Sequence, residues 1–152
     1  MRPAVVSDLN QHRRDFWAYF AGAQPKLFAR TARGNEHSRW LPVGAGGLIV
    51  ALYVTNLSVG VFVRGERGSR VGHVRERLFS YRQRLAKALA QPDIKLGERF
   101  LLNTGLRLDM HDRANWHSAS DWLAACAPRY EKALRDMLTD PAECFEDANP
   151  LL

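Results

Sequence analysis

Cysteine is scarce in this sequence: Cys126 and Cys144 are the only two. Their spacing fits neither a disulfide framework nor a zinc site. Cys126 reads as a small buried helix residue and Cys144 as a spectator. Long apolar runs are also missing. The longest, Leu48 to Val54, falls far short of the ~20 residues that cross a bilayer. The opening MRPAVVSDLNQHRR has no apolar core of signal-peptide length, so the expected compartment is cytoplasmic, with no membrane contact. Repeats, low-complexity tracts and linker-like stretches are absent. The 152 residues therefore read as a single domain, 1–152, with an acidic tail, 139–152, expected to be loosely held.

Acidic residues are scarce in the middle of the chain. Residues 41–90 hold eight Lys and Arg against two Asp and Glu, a local charge of +6. Residues 1–40 carry +4 and residues 91–152 carry −4. The chain is polarised, which points to an anionic partner or to self-association between opposite faces.

What is present has a readable order. Ser7 or Asp8 can cap a first helix, with Leu9, Phe16, Trp17 and Phe20 on one side and Gly22 as its stop. Pro25 can open a short turn through Leu27 and Phe28, and residues 31–38 read as a loop. Arg39 to Val43 is a short strand, and the glycines at 46 and 47 make the following turn. Leu48 to Thr55 is apolar and rich in β-branched residues, as a covered strand is. Val59, Val61 and Val63 alternate with Gly60, Phe62 and Arg64, giving a third strand.

A helix is then expected from Ser69 to Ala90. Val71, Val74, Leu78, Tyr81, Leu85 and Leu89 form one apolar stripe, and Pro92 ends it. Residues 100–110 read as a strand in two parts, with Leu106, Leu108 and Met110 on one face. Asp112 or Asn115 can start the last helix, in which Pro128 is expected to cause a kink. Asp140-Pro141 could start a last short turn. The expected fold class is α+β. A mostly antiparallel sheet, a three-strand meander plus one further strand, packs against helices in the order α-β-β-β-α-β-α.

Several segments resemble a known family. These are RRDFWAYF, SRWLPVGAGG running into LIVALYV, RLFSYRQRLAKAL, and the closing LRLDM, NW and DWLAACAPRYEKAL. Together they are similar to an uncharacterised bacterial and archaeal family catalogued as a domain of unknown function. The likeness covers residues 12–138 and rests on Phe16, Trp17, Trp40, Phe79, Trp116 and Trp122. In many members the domain follows a nuclease-like half that this sequence does not contain. The resemblance implies a fold and no established catalytic residues.

Candidate chemistry is sparse, and no motif requires a cofactor. Asp109, His111, Asp112 and His117 are donors of the kind that bind divalent metals, so one alternative is a metal-dependent hydrolase or nuclease using Asp109, His111 and Asp112. Asp112 as a helix cap is the competing explanation. PDIK at 92–95 lacks the partner strand of a nuclease motif. The glycine-rich turn at 44–47 precedes a strand and not the helix that a phosphate cradle needs. The densest signal is arginine, seven of which lie in residues 64–85. Around Leu78, Arg75 and Arg82 are expected on one flank of the stripe and Arg70 and Arg77 on the other, with Arg84 and Lys87 outward. Arg64, Arg67, Arg75, Arg82, Arg84 and Lys87 are thus the candidate nucleic-acid-binding residues, since phosphate contact needs clustered cations and no specific motif. The leading reading is a non-enzymatic binding module whose partner is nucleic acid, protein or both. A third is a self-associating subunit, in which helix 114–138, taken as acidic, docks on a basic face of a second copy.

Overall fold

The computed structural model describes residues 2–35, 37–44, 46–91 and 95–139, and for residues 2–10 the backbone alone. The expectations for Cys144, the 140–141 turn, the acidic tail and most of PDIK lie outside the described residues.

The fold is α+β. Five strands, β1 (Ala32–Asn35), β2 (Ser38–Pro42), β3 (Leu48–Val54), β4 (Ser58–Gly65) and β5 (Leu101–Arg107), form one antiparallel sheet in chain order. The helices are α1 (Arg2–Ala23), α2 (Pro25–Ala29), α3 (Val71–Ser80), α4 (Arg82–Ala88) and α5 (Trp116–Thr139). No described helix is long and apolar enough to cross a membrane.

The meander forms where β-branched residues and turn glycines predict it. Gly44, Gly46 and Gly47 all adopt positive φ between β2 and β3, a conformation that costs glycine little. Leu41, Val43, Leu48, Val50, Leu52, Val54, Val59, Val61 and Val63 face one side and are all buried. Against them pack Phe16, Trp17 and Phe20 of α1, Val74 and Leu78 of α3, Leu85 of α4, and Leu123, Tyr130, Leu134 and Met137 of α5. This is the main core. The residues of opposite parity point to the sheet's other face, where Trp40, Ile49 and Ala51 form a separate cluster with Phe62 against it.

Four local expectations are corrected. The loop at 31–38 contains β1, whose ARGN has no strand-forming residue. It is held by pairing with β2, Ala32 opposite Trp40 and Asn35 opposite Ser38. The first helix already runs through Ser7 and Asp8, so neither caps its start, and it continues past Gly22 to Ala23. The arginine-rich helix is two helices. Tyr81 N–H donates to Leu78 O, a tight turn that separates α3 from α4, and Val71 is 41% exposed instead of lying in the stripe. Helix 114–138 is not acidic: Asp121, Glu131 and Asp136 are balanced by Arg129, Lys132 and Arg135. Lys132 pairs with Asp136, and Arg135 with Glu131.

The strand expected in two parts over 100–110 is the single strand β5, Leu101–Arg107, and Leu108 and Met110 lie beyond its end. The register with β4 shifts between Val61 and Val63, and Leu102 adopts φ 54° at that irregularity. Such a bulge lets the adjacent Leu101 and Leu102 both turn inward, and both are buried. α5 is continuous through Pro128.

Candidate nucleic-acid interface on the open sheet face

Strand parity and register assemble this face. Trp40 on β2 lies opposite Ala51 on β3, and Ala51 lies opposite Phe62 on β4. Ile49 lies opposite Arg64. The Arg64 guanidinium sits 4.0 Å from the Trp40 ring centroid. Arg67, in the turn after β4, reaches back to 4.4 Å from the same ring. Trp40 is therefore only 8% exposed although no helix core covers it. Gly34 makes room on the other flank, since a Cβ there would collide with the indole nitrogen.

The two arginines hold their positions through backbone carbonyls. Arg64 Nε donates to Gly65 O at 2.9 Å, and Arg67 Nη2 to Gly34 O at 2.9 Å. Among the described residues neither has a carboxylate partner. Burial, and secondarily the Arg67 charge, lower the Arg64 pKa from its ordinary value. Two like charges are thus held on one indole with no counter-charge among the described residues, an arrangement that an anion would relieve.

Beside them the face opens into a groove of about 470 Å³ lined by Asn35, Ser38, Tyr53, Phe62, Phe100 and Asn103, among others. Phe100 is 52% exposed. Its ring meets Phe62 edge-on at 5.0 Å, and Phe62 lies 6.0 Å from Tyr53. Tyr53 lies over glycines on the next two strands, Gly60 of β4 and Gly105 of β5, where side chains would meet its hydroxyl. That hydroxyl donates to Asn103 Oδ1 at 2.9 Å. Burial raises the Tyr53 pKa, and the bond to Asn103 partly offsets this.

Of the arginines and lysine singled out from sequence, only Arg64 and Arg67 come together on an aromatic ring. Arg75 Nε donates to Gly97 O at 2.8 Å. Arg77 Nη1 donates to Gly46 O at 2.7 Å. Arg82 folds over Phe79 at 4.0 Å and bonds its carbonyl. Arg84 is half-buried, not outward, and Lys87 is exposed. Phe62, Phe100, Tyr53 and Asn103 were not singled out as site residues. The signal for Phe62 was its alternation with the valines of β4, which places it with Arg64 on the outer face.

The segment containing Asp109 and His111 leads from β5 into α5 and packs against α1, where His12 stacks on His111. Asp109 Oδ1 accepts the His111 N–H at 3.0 Å, and Asp112 Oδ1 accepts the Ala114 N–H at 3.0 Å, so Asp112 acts as a cap. His12 Nε2 and Trp116 Nε1 both reach Met110 O, at 2.8 and 2.9 Å. Arg113 reaches Asp15 at 3.1 Å; the Gln11 amide and then Arg113 hold that carboxyl below its ordinary pKa. His117 pairs with Asp121 along α5 instead of turning to Asp109. Among the described residues no three His, Cys, Asp or Glu side chains are grouped to hold a metal ion.

Comparison of the chain with protein-family models, curated proteins and solved structures finds no match.

Proposed function

We propose that this protein is a non-enzymatic module that binds single-stranded nucleic acid on the open face of its sheet. The observation that carries this reading is the pair Arg64 and Arg67, stacked on Trp40 without a carboxylate partner among the described residues, at the side of an aromatic groove. Guanidinium groups neutralise phosphates, and exposed rings stack on bases. Base faces are accessible only when a strand is not paired and stacked in a duplex, so the ring platform favours single strands. The net charge supports the same reading. Residues 140–152 hold four acids and no base, so the overall +6 leaves +10 on residues 1–139.

The test is fluorescence anisotropy of labelled single- and double-stranded oligonucleotides over a salt series. Binding to single strands should weaken with log salt at a slope of about −0.7 per phosphate neutralised. Reversing Arg64 and Arg67 to glutamate should abolish it, whereas reversing Arg75 and Arg82 should reduce it only slightly. Absence of binding at low salt, or loss confined to the Arg75 and Arg82 reversals, would sink the sheet-face reading.

A further inference from the structure

We propose that a bound single strand leaves the sheet face across the edge strand β1 and sets a following phosphate in a second cationic cleft, on the helix side of that edge, against Arg39. This rests on the reading of the sheet face as a nucleic-acid surface and adds to it the path of the strand.

β1 is an edge of the sheet, and its Ala32, Arg33 and Asn35 are exposed. Arg67 bonds to Gly34 O, so the cations of the outer face already end on this strand. Arg33, the preceding residue, lies opposite Arg39, and Arg39 lies opposite Leu52 of the main core. Cross-strand partners share a face, so Arg33 and Arg39 project to the helix side. There they line a cleft of about 230 Å³ together with Arg14 and Trp17 of α1, Phe28 of α2, and Asn35. Asn35 also lines the groove of the outer face. Groove and cleft thus meet at one residue of the edge strand.

The chemistry of the cleft repeats that around Trp40. The Arg39 guanidinium lies 4.1 Å from the Phe28 ring centroid. Its Nε donates to Thr31 Oγ1 at 3.0 Å and its Nη2 to Thr31 O at 3.2 Å. These bonds fix the group without neutralising it, since no carboxylate pairs with it among the described residues. The same holds for Arg13, whose Nη1 donates at 3.2 Å to Nε2 of His37, a residue of the outer groove. Asp15 of α1 is taken up by Gln11 and Arg113. Burial lowers the pKa of both Arg13 and Arg39, and the Arg33 charge adds to this at Arg39, so an anion would relieve both. The cleft is smaller than the usual small-molecule site, which suits a phosphate carried on a chain better than a free cofactor. Such a phosphate needs little affinity of its own, because the sheet face holds the strand and makes the second contact intramolecular.

The experiment compares labelled oligothymidylates of about four and about twelve nucleotides, lengths at the two ends of ordinary single-strand sites. Arg39→Met keeps the stem against Phe28 and removes the charge, and Arg33→Glu leaves the bonds to Thr31 in place. Each should weaken the long strand several-fold and flatten its salt slope by about 0.7, the share of one phosphate, while the short strand binds as before. A second readout needs no variant. The long strand should shift the NMR signals of the Arg39 Nε–H and of the Trp17 indole N–H, which makes no hydrogen bond among the described residues, and the short strand should not. Long-strand binding that both variants leave unchanged, with neither signal shifted, overturns the path while the sheet-face reading stands. An equal loss for short and long strands also overturns it, because Arg39 and Arg33 would then act by holding β1. If no strand binds, the nucleic-acid reading falls and the path with it. A shift of the two signals by polyglutamate alone would then assign the cleft to an acidic protein segment.

Discussion

Tyr53 occupies the space that a side chain on Gly60 would need. The two residues face each other across β3 and β4, and a Cβ on Gly60 would run into both the Tyr53 hydroxyl and the carbonyl of Thr104. Glycine is required at this position by close approach and not by backbone freedom. Gly60→Ala should lower stability by about 1–3 kcal/mol, the usual cost of overpacking, read as a reduced urea midpoint. Removing the ring as well, in Gly60→Ala/Tyr53→Ala, should restore only part of the loss, because the carbonyl of Thr104 is still in the way. A larger loss for Gly105→Ala, where the nearest atoms are 3.0 and 3.1 Å away, would contradict this account.

Arg64→Ala and Arg67→Ala should separate binding from stability. Each should cost no more than about 1 kcal/mol of folding free energy, the scale of an exposed cation–π contact. Each should also flatten the salt dependence of single-strand binding by about 0.7. Thermal melts and anisotropy on the same samples measure both. A variant that melts far earlier would mean that these arginines chiefly hold the sheet together.

Glu131 is a buried carboxylate between Arg30 and Arg135. The carboxylate is inside and both arginines are half exposed, so the cost of removal is unequal. Glu131→Gln leaves two cations that water can solvate. The double variant Arg30→Ala/Arg135→Ala leaves a buried charge without a partner, which is the more expensive state. Chemical denaturation should rank the double variant as the less stable. The opposite order would show that water reaches Glu131 readily.

Burial pushes the Cys126 thiol up to about 11 and the Tyr130 hydroxyl up to about 12. Both groups are neutral when protonated, and both pKa values are higher in the folded chain than in an unfolded one. Between the unfolded and folded values the native state binds more protons, so stability falls as pH rises. The loss should begin near pH 9 for the thiol, where an unfolded cysteine ionises, and near pH 10 for the hydroxyl. Denaturation midpoints should decline from about pH 9 upward, and Cys126→Ala with Tyr130→Phe should flatten that decline. In a Cys144→Ser background, alkylation of Cys126 at neutral pH should be slow. Rapid modification there would mean that the thiol is ionised and exposed.

The extent to which these features were legible in the sequence follows from how local their causes are. β3 and β4 could be read because Leu48–Val54 and the alternating Val59, Val61 and Val63 carry their own periodicity, and the intervening turns carry their own chemistry. β1 could not, because ARGN becomes a strand only by pairing with β2. The break at Tyr81 was hidden because the apolar stripe continues from Leu78 to Leu85 across it. The site shows the same division. Arg64 and Phe62 share a face by simple alternation, which is visible in sequence. Their meeting with Trp40 depends on the registers of two separate hairpins, which no local pattern encodes. Counting arginines drew attention to α3 and α4, where several of them bond to nearby carbonyls.

The path of the chain divides the groove unequally. Asn35, Ser38, Tyr53 and Phe62 belong to four strands joined by short turns, whereas Phe100 and Asn103 arrive only after residues 66–91, with α3 and α4, and the segment that follows them. Pairing within the meander closes short loops, and seating β5 closes a long one at greater entropic cost. The wall carrying Phe100 and Asn103 is therefore the wall whose attachment depends on how well two short helices dock. Weakening Leu78 or Leu85 would loosen that wall while the first four strands remain paired. Amide exchange would then rise in β5 before it rises in β3. A mutation in the helical core, remote from every ring in the groove, could in this way alter what the sheet face recognises.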